Sequence, residues 1–105
     1  GDPITIEHLM PQTLSESWKD QLGQDYAEVH ERYLHTIGNL TFSGYNTEMG
    51  NEPFEHKKRI LKQSHFELNR DIVKADTWTE EEIRARAGDL ADRALTIWRR
   101  EGYAD

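Results

Sequence analysis

The chain has 105 residues, the length of one domain, and its 35% hydrophobic content, with three Trp, four Tyr and three Phe, suffices for one core but not two. The absence of Cys excludes disulfides, thiolate metal sites and a cysteine nucleophile. A net charge of −7 argues against a nucleic-acid coat or a membrane-surface binder, and no apolar run approaches the roughly 18 residues of a membrane helix.

Gly1, Asp2 and Pro3 lead almost directly into Ile4–Glu7, where apolar and polar residues alternate as in a short strand. That abrupt start, with no charged leader before an apolar run, reads as a single domain spanning 1–105 cut from a longer chain. Pro11 cannot donate to a ladder and begins a loop. "SESWKDQLG" predicts a short helix stopping at Gly23. "DYAEVHERYLHTIG" puts Tyr26, Val29, Tyr33 and Ile37 on one helical face that ends before Gly38. "NLTFSG" is a second strand, broken at Gly44, and "YNTEMGN" a polar loop around Gly50.

Pro53 suits the first turn of the next helix, which Asn51 or Glu52 would cap. That helix carries Phe54, Lys57, Lys58 and Leu61 at helical spacing. "SHFE" is a capping box, Ser64 with Glu67, opening a helix through about Lys74. In "TWTEEEI", Thr79 caps, Glu82 reaches back, and Trp78 can staple onto Ile83. The last helix then aligns Ile83, Ala87, Leu90, Ala94 and Ile97 or Trp98 on one face. Trp18, Trp78 and Trp98 are most simply core or staple residues. Two short strands followed by a helix make a ββα unit, wrapped by further helices, in an α+β, mostly helical fold.

Glu7 and His8 are the first residues with chemical interest. Neighbours on a strand point to opposite faces, so both reach one site only where the chain bends, and Pro11 supplies a bend. A neutral His near pKa about 6.5 accepts a proton from water at pH 7. A carboxylate binds a hard divalent cation through oxygen. The plainer alternative is a partly buried His hydrogen-bonded to backbone. Asn39 either pins a loop through its amide or is a simple turn residue. Asn46 offers an amide oxygen to a metal or is an ordinary loop Asn.

Charge is unevenly placed: residues 1–52 carry nine acidic and two basic side chains, residues 53–105 eleven of each. Within the second half "HKKRILK" holds four cations, Lys57, Lys58, Arg59 and Lys62. Such a strip either grips phosphate, since salt confines each charge to within about 10 Å, or is a solvated helix face. His30, His35, His56 and His65 lack zinc-site spacing and read as structural or exposed, with a reservation for His35 beside the Gly38–Asn39 turn. There is no glycine-rich phosphate loop and no G-x-S-x-G elbow.

Taken in order, "IEHLMPQ", "HTIGNLTFSGYN" and "NEPFEHKKRIL" resemble the C-terminal nuclease domain of GmrSD-type modification-dependent restriction endonucleases, a branch of the HNH or His-Me finger nucleases. HxxP is present as His8–Pro11 and GNL as Gly38–Leu40, and "ALTIWRR" (Ala94–Arg100) looks like the family's closing helix. HxxP alone is a weak signal. HxxP, GNL, Asn and PFxxKK in this order are specific.

The resemblance implies a ββα-metal core and a role for each residue. His8 is the general base that activates water against a DNA phosphodiester. Glu7, usually Asp in the wider group, and Asn46, His in many relatives, hold one Mg²⁺ or Mn²⁺. Asn39 braces the loop that carries the histidine. Lys57, Lys58 and Lys62 lie near the phosphate backbone. Pro11 lets the loop swing away and leaves His8 open to substrate. The implied partners are duplex DNA and an N-terminal nucleotide-binding sensor domain, with no membrane. The setting is phage defence in the bacterial cytoplasm. The alternatives are a non-catalytic DNA-binding or docking module that keeps the fold, and a plain helical interaction domain.

Overall fold

A computed structural model describes residues 5–43, 49–63 and 69–100. Strand β1 (Thr5–His8) pairs antiparallel with β2 (Leu40–Ser43), with Ile6 opposite Phe42, Glu7 opposite Thr41 and His8 opposite Leu40. Helices α1 (Glu16–Leu22) and α2 (Tyr26–Tyr33) lie between the strands in sequence. Helices α3 (Phe54–Lys62), α4 (Arg70–Lys74) and α5 (Glu80–Arg100) follow β2. The α+β, mostly helical reading therefore holds. The capping box at Ser64 and Glu67 falls outside the described residues.

Local chemistry sets the element ends. Ser15 Oγ accepts from Trp18 N at the start of α1, and Gly23 takes φ 89° past its end, a left-handed conformation that suits glycine. Glu82 Oε1 accepts from both the backbone N–H and the hydroxyl of Thr79 (2.7 and 2.6 Å), the reach-back half of the box expected before α5. Pro53 sits one place before the first turn of α3, at its cap.

Helix α2 stops four residues short of the expected Ile37. The Tyr33 carbonyl accepts both the Thr36 hydroxyl (2.8 Å) and the Thr36 N–H (3.1 Å), while the Asn39 amide takes the Leu34 carbonyl (3.0 Å). With those carbonyls occupied, the chain leaves the helical ladder and enters a 3-10 turn at Ile37–Asn39. Ile37 consequently faces out, 61% exposed. The turn packs directly on α5: a Cβ on Gly38 would lie 2.1 Å from the Ile83 carbonyl oxygen. Glycine is required here for closeness of approach.

The core centres on a row of aromatic rings. Phe54 stacks on Trp78 with centroids 5.4 Å apart and meets Trp18 edge-on at 6.3 Å, and all three are buried. Leu9, Met10, Leu61, Ile72 and Ile83 close around them. The inner face of the sheet carries Thr41, whose hydroxyl bonds Asn69, and Asn69 returns an N–H to the Phe42 carbonyl (3.2 Å). The outer face carries Ile6, which is 66% exposed.

The face predicted for α5 is only partly buried. Ile83 is in the core and Leu90 half-buried, but every residue from Ala91 to Arg100 is exposed. Ala94, Ile97 and Trp98 therefore project from the domain, and Trp98 is neither core nor staple. The physical reason is reach: 21 residues make a helix about 31 Å long, more than the underlying turn and α2 can cover.

Candidate active site

β1 delivers His8 at its last position, and the chain then turns inward. Leu9, Met10 and Pro11 are buried, so the segment after the strand is anchored in the core and does not swing away. Asn39, fully buried, holds this segment: its Oδ1 accepts Met10 N–H (2.7 Å) and its Nδ2 donates to the Met10 carbonyl (2.9 Å). Its backbone carbonyl takes Leu9 N–H (2.9 Å), and Trp78 Nε1–H donates to Oδ1 (3.1 Å). The amide orientation follows from chemistry, because two obligate donors face the oxygen and two carbonyls face the nitrogen. His30 adds a further hold, donating from Nε2 to the Pro11 carbonyl (2.9 Å).

Glu7 and His8 line one open cleft of about 480 Å³, with Pro11, Gln12, Thr13, Gly50 and Asn51 on the other walls. Adjacent strand residues thus share a site because the site lies at the strand's end. The His8 Nε2 lies 3.1 Å from Nδ1 of His35, and Gln12 Nε2 lies 3.5 Å from His8 Nδ1. Burial chiefly, then the neighbouring His35 and the Lys57 ammonium, hold the His8 pKa below its ordinary 6.5. At pH 7 the ring is neutral and able to accept a proton.

The three lysines assigned to DNA part company. Lys57 lies with Phe54 and Leu61 on the core side of α3, 0% exposed. Its Nζ donates to the carbonyls of His8 (3.0 Å) and Leu9 (2.7 Å) and sits 5.4 Å from the Trp18 ring centroid. Burial lowers its pKa to about 8, against the opposing pull of Glu7 and Glu52. No phosphate can reach it there. Lys58 donates to the Ala75 carbonyl (2.7 Å) and pairs with Glu55 (3.5 Å). Lys62, like Arg59, is exposed on the outer side of the helix.

Asn46, the expected partner of Glu7 toward a metal, lies outside the described residues. Among the described residues no three His, Cys, Asp or Glu side chains cluster as a metal site. The sequence assigns no such place to His35, which meets the His8 ring, or to Gln12 and Asn51 on the cleft walls. His35 had only its nearness to the Gly38–Asn39 turn as a signal, Asn51 had been read as a helix cap, and Gln12 offered no signal.

A histidine held at a strand's end by a buried asparagine from a Gly-Asn-Leu turn is the arrangement that the HxxP and GNL segments imply together. Residues 1–93 match the family of GmrSD restriction endonucleases, C-terminal domain. The chain belongs to this family. No curated protein and no solved structure matches it. The family match ends before Ala94–Arg100, the exposed end of α5 that had been assigned as the family's closing helix. Membership in the GmrSD C-terminal family makes the chain a restriction-endonuclease-related domain, with nuclease activity and DNA as the family-level reaction and substrate. Among the described residues, no helix of this GmrSD domain is long and apolar enough to cross a membrane.

Proposed function

We propose that the domain hydrolyses DNA phosphodiesters in the Glu7–His8 cleft as an HNH-type, ββα-metal endonuclease, with His8 as the general base. The observation that carries this reading is a neutral imidazole on the wall of an open cleft, fixed from behind by buried hydrogen bonds. A base must be unprotonated, within reach of water and held in place, and His8 meets these needs.

The cleft suits a weakly held Mg²⁺ or Mn²⁺. Glu7 supplies one carboxylate to an open cleft, and Mg²⁺ commonly keeps several waters while using one or two carboxylates. Glu7, with Asn46 as second oxygen donor, would hold the ion, which when bound stabilises charge growing on the phosphate. The chain's own residues do the rest. The His8 ring accepts the proton of the attacking water. Asn39 keeps the His8–Met10 backbone from shifting as the imidazole becomes charged. Lys62 and Arg59, exposed on α3, meet the phosphate backbone.

The test is relaxation of supercoiled plasmid by the native chain and by His8→Ala, with Mg²⁺ or Mn²⁺ and with EDTA. Cleavage is expected only for the native chain with metal. Equal relaxation by His8→Ala would overturn the assignment. DNA retention without any cleavage would favour the non-catalytic binding module.

A further inference from the structure

We infer that Lys57 is a positioning residue for the His8 imidazole and makes no contact with DNA. The inference rests on the nuclease reading above and gives a buried cation a task within it. Lysine is almost never fully buried unless its charge is met, and here it is met by two backbone carbonyls and the face of Trp18.

The location of those carbonyls carries the argument. The His8 C=O and the Leu9 N–H are the two ends of one peptide unit. Lys57 Nζ holds the oxygen end at 3.0 Å, and the Asn39 carbonyl holds the nitrogen end at 2.9 Å. A peptide plane gripped at both ends cannot rotate, so the dihedral that follows the His8 Cα is fixed. That dihedral sets the direction in which the imidazole leaves the backbone. Lys57 also takes the next carbonyl, of Leu9, and Asn39 takes both polar groups of Met10. The two holds come from opposite sides, one from α3 and one from the turn before β2. Loss of either leaves the plane free to tilt about the other.

Misplacing a reacting group by about 1 Å costs on the order of 100-fold in rate. The variant Lys57→Met keeps the apolar stem and removes the donor. In the 105-residue chain it is expected to lower kcat on plasmid about 100-fold, leaving KM unchanged. Its DNA affinity is expected to keep the native salt dependence. Lys62→Ala is expected to act on binding, weakening affinity and reducing the slope of log affinity against log salt by about 1. Lys57→Gln, which retains a shorter donor, should recover part of the lost kcat.

A readout independent of cleavage is the NMR signal of the Leu9 amide and of the His8 ring, both expected to shift in Lys57→Met. If His8→Ala proves as active as the native chain, the nuclease reading fails, and these signals still decide the positioning role. Should Lys57→Met not fold, Lys57→Gln is read by the same signals. Unmoved Leu9 and His8 signals, or a salt slope lowered as in Lys62→Ala with kcat intact, would overturn the inference.

Discussion

Replacing Asn39 by Asp is the most direct test of the clamp behind His8. The substitution is nearly isosteric. It keeps an acceptor for the Met10 N–H and the Trp78 indole and deletes the donor that serves the Met10 and Leu34 carbonyls at 2.9 and 3.0 Å. Two carbonyls lose their partner and face a second oxygen, at about 1–3 kcal/mol each. We expect a loss of about 4 kcal/mol at pH 7, a large part of a domain's total of about 5–15 kcal/mol. The deficit must also depend on pH. The introduced carboxyl, buried where Asn39 is 0% exposed, has its pKa raised above the ordinary value of about 3.9. The folded state then binds more protons than the unfolded chain, so stability relative to native falls as pH rises from about 4 through the raised pKa. Urea unfolding of both chains at pH 4.5, 6 and 7.5 measures this. A deficit below about 1 kcal/mol at pH 7.5, or one that does not shrink on acidification, would refute the reasoning.

Gly38→Ala forces a Cβ against the Ile83 carbonyl, and separating the 3-10 turn from α5 should cost about 3 kcal/mol, read as a Tm lower by on the order of 10 °C. His35→Ala removes one of the influences that lower the His8 pKa, so the His8 midpoint followed by NMR should move up toward 6.5, and an unmoved midpoint counts against the contact. In the native chain the lowered His8 pKa means that its share of stability is complete above about pH 6.5 and is lost as pH falls through the folded-state value. Ile97→Ser, on the exposed end of α5, should leave stability within about 0.5 kcal/mol in a urea melt, and a larger loss would show that this side chain packs within the chain.

Where a residue's role depended on near neighbours, the sequence was readable. The Thr79–Glu82 reach-back and the stop at Gly23 follow from residues within four places of each other, whereas the start of α3 slipped, with Pro53 at the cap in place of Asn51 or Glu52. The family resemblance also marked His8 and Asn39, which the structure brings together, with Leu9 N–H bonded to the Asn39 carbonyl. Lys57 was harder. Its spacing from Phe54 and Leu61 placed it on the apolar face, but its charge argued for solvent, and the carbonyls that satisfy it lie 48 and 49 residues away. Trp98, read as core or staple, erred in the other direction. Alternation and helical period identify a face, and neither says whether the chain has enough material to cover it. His35 came to His8 through the early end of α2, which depended on the side chains of Thr36 and Asn39 capturing carbonyls.

The fixtures around His8 come late in the chain: Asn39, Lys57, and Trp78 behind Asn39. A nascent polypeptide emerging from the ribosome exposes the histidine first and its cage last. A fragment that ends before Trp78 keeps Asn39 and Lys57 but lacks the indole donor to Asn39 Oδ1, so the hold behind the histidine is complete only once Trp78 has been made.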